Sequence, residues 1–302
     1  MSASRRVALV TYERAPDLAP DDRVLVPSLA ATGIEARPVV WSDAAIDWRT
    51  FDAVVLRSSW DYHLRADEFR AWLGALDSAG VQVLNSPALV RWNSDKRYLL
   101  DLARRGVATI PTMVVPRGAT DEVSLTATAE GWSRIVVKPT VSASGYETHA
   151  LDLPFDDDAR AIIARVTRLT DVLVQPFAPE VPRNGEYSFT FIEGEFSHAT
   201  IKRARAGEFR VQTEHGGSVE PAVVSASLVA QASHALAVLP EVPLYARVDG
   251  ITRGDAFLLM ELELIEPNLF LELGNGAADR LARAILRALD KKNQPQNTRK
   301  EN

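Results

Sequence analysis

The chain has 302 residues with 46% hydrophobic and 25% charged side chains and a formal net charge of −6, as expected for an ordinary globular protein. The absence of cysteine excludes disulfides and thiolate chemistry. The acidic balance disfavours nucleic-acid binding, and no apolar run reaches the roughly 18 residues that span a bilayer. We therefore predict a cytoplasmic monomer or homodimer without nucleic-acid or membrane partners.

The first 92 residues alternate strands and helices. Strands are predicted at 6–12, 34–41, 52–58 and 81–85, and helices near 21–32 and 65–79. This alternation predicts a parallel sheet. Ligands of such sheets lie beyond the carboxyl ends of the strands, here near Arg57 and Ser58. Arg57 is a candidate substrate ligand because a guanidinium binds a carboxylate bidentately. Ser58 is a candidate because it lies beside Arg57 at the same strand end.

The rest of the chain changes from mixed to mostly β structure at about residue 185. Helices are predicted at 93–106, near 156–168 and near 222–238. Strands are predicted at 111–115, 134–139, 171–177, 243–251 and 256–265, with a hairpin that turns at Glu193-Gly194. The last segment, KKNQPQNTRKEN (291–302), has no apolar residue and is predicted to be a disordered tail.

Two carboxylates share one face of the apolar stretch LLMELELIEPN (258–268). Because side chains of a strand alternate, Glu261 and Glu263 lie roughly 7 Å apart and repel unless something positive lies between them. Arg247 and Asp249 likewise share a face of the preceding strand. Three carboxylates without histidine or cysteine suit Mg²⁺ or Mn²⁺. A solvated strand face with alternating charge is the alternative, which this segment alone does not exclude.

Two lysines favour a site for an anion. Lys138 ends an apolar strand, where a cation is costly unless it meets an anion. The small residues of TVSASGYET that follow, including Ser142, Ser144 and Gly145, leave backbone N–H groups free for phosphates, although an ordinary turn has the same composition. Lys96 is predicted in the first turn of its helix, where a cation opposes the macrodipole. Either lysine alone is also consistent with a solvated side chain.

The ordered set of Lys96, VVKP, the small-residue loop, VLVQPF, GEYS, RVDG and MELE resembles the ATP-grasp superfamily over residues 93–290. The resemblance implies an α/β (α+β) protein with a Rossmann-like pre-ATP-grasp domain at 1–92. A first ATP-grasp lobe would follow at 93–175, a second lobe with the metal site at 176–290, and the tail at 291–302. RVDG followed by ELE resembles D-alanine–D-alanine ligases, and EFRVQTEHGG (208–217) resembles bacterial glutathione synthetases.

The resemblance implies a role for each matching residue. ATP would be bound by Lys96, Lys138, Ser142, Ser144, Gly145, Gln175, Pro176, Phe177 and Glu186, of which 175–177 form the adenine hinge and Glu186 meets the ribose. Two Mg²⁺ ions, or Mn²⁺, would be bound by Asp249, Glu261 and Glu263. Arg247 and Lys202 would act in catalysis, and Arg210, Gly216, Gly217 and Glu266 would face the substrate. The family usually has asparagine where Glu263 stands, and a glycine-rich loop where this loop has serines.

The implied reaction is the ATP-dependent conversion of a carboxylate to an acyl phosphate, which an amine-like nitrogen then attacks. The segments RSSWDYH, WNSDKRYL, HATIKR and FRVQTEHGG resemble the cyclo-ligases that close O-ureido-serine to cycloserine. Two alternatives stay open. One is a ligase that joins two amino acids or small peptides, and the other is a nucleotide-binding protein without ligase activity.

Overall fold

The first part of the chain forms a four-stranded parallel sheet in the computed structural model, which describes residues 5–292. Its strands, in the spatial order β2-β1-β3-β4, are β1 Arg5–Thr11, β2 Ile34–Val40, β3 Ala53–Ser58 and β4 Val83–Leu84. Its helices are α1 Pro20–Arg23, α2 Leu25–Ala31 and α3 Ala66–Ser78. The helix predicted near 21–32 is present as two consecutive segments, α1 and α2. Pro27 lacks the N–H that would bond to the carbonyl of Arg23, and the helix breaks at Val24 between them.

The middle of the chain forms an antiparallel sheet in the order β5-β8-β6-β7. Its elements are α4 Pro87–Asn93, α5 Tyr98–Arg104, β5 Met113–Val115, α6 Thr120–Ala129, β6 Arg134–Pro139, β7 His149–Asp152, α7 Asp157–Leu169 and β8 Val172–Pro176. The continuous helix predicted at 93–106 is wrong, since residues 94–97 form a turn between α4 and α5. Lys96 therefore lies before α5 and not in its first turn. Its backbone N–H donates to the carbonyl of Thr140, which ties this turn to the end of β6.

The last part forms a five-stranded antiparallel sheet in the order β11-β10-β9-β12-β13. Its elements are α8 Glu180–Asn184, β9 Glu186–Ile192, β10 Glu195–Arg203, β11 Ser218–Pro221, α9 Ala226–Ala237, β12 Tyr245–Arg253, β13 Ala256–Glu263 and α10 Ala277–Lys292. The predicted hairpin turn has positive φ at both Glu193 and Gly194, as a type I′ turn requires. None of the helices within residues 5–292 is long and apolar enough to cross a membrane.

The final helix, α10, belongs to the core of the first sheet. Leu281 and Ile285 of α10 are fully buried against Leu25 and Leu29 of α2, together with the β1 side chain Leu9. Helix α10 ends at Lys292, so its last two residues lie within the predicted tail that starts at 291. The remainder of the predicted tail lies outside the described residues.

Candidate active site

A single cavity of about 610 Å³ is lined by residues from all three sheets and their loops. The structure brings sixteen of the twenty predicted site residues to its wall. They are Lys96, Lys138, Ser142, Ser144, Gly145, Gln175, Pro176, Phe177, Glu186, Lys202, Arg210, Arg247, Asp249, Glu261, Glu263 and Glu266. Their convergence from distant parts of the chain makes this cavity the candidate active site.

The β12–β13 pairing places four charged side chains on one wall of the cavity. Arg247 lies opposite Glu263, and Asp249 lies opposite Glu261. The Arg247 Nε donates to both carboxylate oxygens of Asp249 at 2.9 and 3.1 Å, and Nη2 donates to Glu263. Burial opposes the ionised form of Asp249, but the charges of Arg247 and Lys202 lower its pKa below the ordinary value. Asp249 is therefore a carboxylate held between cations.

Lys202 reaches the same carboxylate from β10. Its Nζ lies 2.8 Å from Oδ2 of Asp249 and 2.6 Å from Oε1 of Glu186. All three side chains are strongly shielded from solvent, with Lys202 at 7% and Asp249 at 2% exposure. Because each charge has a partner of opposite sign, this polar network is tolerated in the interior.

Lys96 joins the β13 wall to the small-residue loop. Its Nζ lies 2.6 Å from Oε1 of Glu261 and donates to the backbone carbonyl of Ser142 at 2.7 Å. Burial raises the pKa of Glu261, but the positive charges of Lys96 and Lys138 outweigh it and the net shift is downward. Glu261 is consequently ionised in this arrangement.

Lys138 differs from the other two cavity lysines. It is the fifth residue of β6 and is 8% exposed. Among the side chains that the structure describes, none makes a hydrogen bond or ion pair with its ammonium group. Burial lowers the pKa of Lys138, and the neighbouring charge of Lys96 adds to this against the pull of Glu261. Lys138 thus faces the cavity with no counter-ion bound to it among the described side chains.

Two carboxyl groups of the cavity have raised pKa values. Burial raises the pKa of Glu263 to about 7, although Arg247 acts in the opposite direction. Burial and the charge of Glu263 raise the pKa of Glu266 to about 8. Crowded carboxyls of this kind take up protons or cations at neutral pH.

The strand ends and the small-residue loop complete the cavity. The Gln175 side chain donates to Thr112 at 2.8 Å, and the Phe177 N–H donates to the carbonyl of Arg134 at 2.9 Å. Ser144 and Gly145 both have positive φ, so the loop turns tightly there. A Cβ on Gly145 would lie 3.4 Å from the His215 ring, which brings the loop against the segment before β11.

The oxygen-only donor set of Asp249, Glu261 and Glu263 fits Mg²⁺ chemically. In the conformation described, however, each carboxylate is paired with a cation of the chain. Among residues 5–292, no three or more His, Cys, Asp or Glu side chains are grouped so that they could hold a metal ion. Metal binding at these residues would therefore compete with the ion pairs to Lys96, Lys202 and Arg247.

Four predicted substrate residues do not line the cavity. Arg57 is fully buried, and its guanidinium donates to Asp22 at 2.9 Å and to the carbonyl of Pro267 at 2.7 Å. Ser58 donates to the same Asp22 carboxylate at 2.6 Å. The prediction that Arg57 and Ser58 face the substrate is wrong. Helix α1 contributes Asp22, which accepts hydrogen bonds from both side chains, and the Pro267 carbonyl accepts a further one from Arg57.

Gly216 and Gly217 also lie outside the cavity wall. A Cβ on Gly217 would come within 2.1 Å of the Val211 carbonyl, and one on Gly216 within 3.2 Å of the Arg205 side chain. Their contact with the substrate stays a prediction. Gly217 allows a close backbone approach to Val211, next to Arg210 in the chain.

The sequence reading missed several cavity residues. Asp21 lines the cavity from the start of α1, and burial raises its pKa to about 6. Asn268 and Phe270 line it from the segment after β13. The available signal was the EPNLF sequence that directly follows the carboxylate strand, because residues at a strand end border the same site as the strand.

Comparison with known proteins identifies the family. Residues 7–85 match the family model described as D-cycloserine synthetase DcsG, N-terminal domain. The cycloserine biosynthesis protein DcsG of Streptomyces lavendulae is 33% identical over 299 residues, with 94% of this chain and 98% of that protein covered. The chain belongs to the DcsG family. This confirms the predicted resemblance and the predicted class, an ATP-dependent ligase that forms C–N bonds.

Solved structures agree. The crystal structure of D-cycloserine synthetase DcsG has a TM-score of 0.86 at 31% identity, covering 94% of this chain and 99% of that chain. D-alanine–D-alanine ligase from Bacillus anthracis complexed with ATP gives 0.66 at 16%, covering 95% and 99%. The ATP-grasp ligase PsnB complexed with a phosphomimetic variant of its minimal precursor, Mg and ADP gives 0.64 at 16%, covering 95% and 99%. The predicted ATP-grasp fold is confirmed.

Proposed function

We propose that the protein converts O-ureido-serine to cycloserine at the expense of ATP. The substrate carboxylate attacks the γ-phosphorus of ATP, which gives an acyl phosphate and ADP. The ureido nitrogen bound to oxygen then attacks the acyl carbon, so that the ring closes and phosphate leaves. Hydrolysis then removes the carbamoyl group as carbamic acid, which decomposes to CO₂ and ammonia. Membership of the DcsG family is the observation that carries this proposal.

The ATP end of the cavity is assigned to the β6, β8 and loop residues. Lys138 supports this assignment most directly, because its buried ammonium faces the cavity without a bound counter-ion, and a phosphate would supply one. Lys96 lies beside the loop and would approach the same phosphates. We assign the adenine to the Gln175–Phe177 segment, the ribose to Glu186, and phosphate contacts to the loop that contains Ser142, Ser144 and Gly145.

The acidic wall is assigned to the metal. Asp249, Glu261 and Glu263 would hold two Mg²⁺ ions, or Mn²⁺, since hard oxygen donors suit both. Bound there, the ions would neutralise phosphate charge and orient the phosphoryl group for transfer. The pKa of about 7 at Glu263 marks a carboxyl that gains from an added positive charge.

The remaining charged residues are assigned to the acid substrate. Arg247 and Lys202 would neutralise negative charge that develops on the transferring phosphoryl group, as fixed cations do in a water-poor site. Arg210, held by Glu208 at 2.8 Å, lines the cavity and would bind the acyl or ureido oxygen. Glu266 would bind a nitrogen of the substrate. Ring closure needs no second substrate site, because the nucleophile is tethered.

Product analysis tests the proposal. The protein is incubated with ATP, Mg²⁺ and O-ureido-serine as the sole organic acid, and ADP, phosphate and the organic product are followed by mass spectrometry. Equal amounts of ADP, phosphate and cyclic product are expected. A linear amide that forms only with an added amine would identify an intermolecular ligase, and ATP binding without any ADP release would identify a nucleotide-binding protein.

A further inference from the structure

Five consecutive backbone carbonyls after β13 each accept a hydrogen bond from a side chain elsewhere in the chain. We call residues 265–269 the anchored loop. The donors, in order, are Tyr245 to Ile265 at 2.9 Å, Trp60 to Glu266 at 3.1 Å, Arg57 to Pro267 at 2.7 Å, Arg247 to Asn268 at 2.8 Å and Thr190 to Leu269 at 3.1 Å. Loop carbonyls are ordinarily left to water, so this sequence of side-chain donors fixes the path of the loop.

Two of the five donors come from the first sheet, which is remote from β13 in sequence. Arg57 is the penultimate residue of β3. Its guanidinium is held by Asp22 at 2.8 Å and lies over the Tyr245 ring at 4.9 Å from its centroid. Trp60 follows two residues after that strand. The Arg57 guanidinium is fully buried and so cannot donate to water instead. The Trp60 indole has a single N–H, which the Glu266 carbonyl takes up.

The anchored loop carries Glu266, whose side chain lines the cavity and is 9% exposed. None of the other described side chains is hydrogen-bonded or ion-paired to its carboxyl group. Its position is therefore set by the backbone alone, and the backbone is set by the carbonyl bonds on either side of the Glu266–Pro267 peptide.

We propose that Arg57 and Trp60 are positioning residues of the ligase, which hold the Glu266 carboxyl against the carboxylate substrate through the carbonyls of residues 266 and 267. This inference rests on the proposed function of the cavity. It explains why a buried arginine and a tryptophan N–H of the first sheet are directed at backbone of the last sheet. It also assigns the first part of the chain a role in recognising the acid substrate.

The test compares Trp60→Phe with Trp72→Phe in steady-state kinetics of ADP release. Both variants replace an indole by a phenyl ring in the same domain, but the Trp72 N–H has no hydrogen-bond partner among the described residues. We expect Trp60→Phe to raise the KM for O-ureido-serine about fivefold, as for one lost hydrogen bond, with the KM for ATP unchanged. Trp72→Phe is expected to leave both constants unchanged.

A double-mutant cycle with Glu266→Gln separates positioning from general weakening of the fold. If Trp60 acts through Glu266, the effect of Trp60→Phe disappears in the Glu266→Gln background. The same cycle with Arg57→Lys measures whether Arg57 also acts through Glu266. Thermal unfolding shows which variants are folded. The inference is overturned if Trp60→Phe behaves like Trp72→Phe, or if its effect persists unchanged without Glu266.

Failure of the proposed function gives a different result. The wild-type protein would then release no ADP with O-ureido-serine alone and would require an added amine. In that case the same variants are compared with the amino acid and amine as substrates. A KM effect of Trp60→Phe on the acid that depends on Glu266 still supports the inference, and its absence still overturns it.

Discussion

The ammonium of Lys96 lies 2.6 Å from Oε1 of Glu261, although one residue precedes α5 and the other lies in β13. A predicted phosphate-binding lysine is thus paired with a predicted metal ligand. The pair explains why the like charges of Glu261 and Glu263 are tolerated on one strand face. Lys96 neutralises the first and Arg247 the second. Substrate binding would exchange these internal pairs for pairs with phosphate and metal, at little net change in charge.

Substituting Glu261→Gln should reduce ADP release at least about 100-fold, as for loss of a group that acts in the transition state. The amide keeps the shape but cannot carry the charge that a metal ion requires. The matched control is Glu220→Gln in β11, which removes a carboxylate from an exposed ion pair with Arg203. Wild-type turnover by Glu261→Gln at limiting magnesium would contradict the metal assignment.

Lys138→Met should weaken ATP binding by about 1.5–3 kcal/mol, the contribution of a charge-assisted hydrogen bond. The same change should raise the melting temperature of the ligand-free protein, because it removes a buried cation without a bound counter-ion. Calorimetric titration with ATP and thermal unfolding measure the two effects, with Lys291→Met at the exposed end of α10 as the control. An ATP affinity within twofold of wild type would show that Lys138 does not contact the nucleotide.

The regular elements of the site were readable from sequence because their patterns are local. β12 and β13 have apolar residues alternating with charged ones, and the Glu193-Gly194 turn has its own signature. The role of Arg57 could not be predicted from sequence. Its two partners, Asp22 and the Pro267 carbonyl, are distant from it in the chain and no local pattern indicates them. Helix α10, which borders the polar tail, was not predicted from the sequence. The surface of α2 against which it packs is distant in sequence, so its burial could not be inferred locally.

The pKa of about 8 at Glu266, raised from an ordinary 4.5 by burial, predicts a pH-dependent stability. The folded state holds this proton more tightly than the unfolded state. Its stabilising contribution is therefore complete below pH 4.5 and is lost as the pH rises to 8. Glu266→Gln cannot lose a proton, so its stability relative to wild type should increase between these limits.

Urea unfolding in magnesium-free buffer measures this prediction at the two ends of the window. Glu195→Gln, at an exposed position of β10, is the control and should track the wild type at both pH values. Equal stability differences for Glu266→Gln at the two pH values would show that the carboxyl does not hold its proton in the folded state.

Asp249→Asn should destabilise the folded protein by about 3–5 kcal/mol, because it leaves two buried cations without their shared anion. Asp249 is 1% exposed and receives hydrogen bonds from both Arg247 and Lys202. Chemical denaturation measures the loss, and Glu220→Gln, which breaks an exposed pair, should cost no more than about 1 kcal/mol. A loss at Asp249 as small as that of the exposed pair would show that the buried network contributes little to the fold.

Gly217→Ala should impair catalysis although Gly217 does not line the cavity. The added Cβ would lie 2.1 Å from the carbonyl oxygen of Val211, so the backbone there must move. Residues 209–213 of that segment line the cavity and include Arg210. We expect about a tenfold loss in kcat/KM for the acid substrate, since small displacements of positioning groups have effects of this size.

Gly74→Ala, in the middle of α3 with no atom within 4 Å of the added Cβ, is the matched control. That change should leave kinetics unchanged and stabilise the protein by about 0.5–1 kcal/mol, because alanine favours the helix. Wild-type kinetics for Gly217→Ala would show that the packing of Gly217 against Val211 does not hold Arg210 in place for the acid substrate.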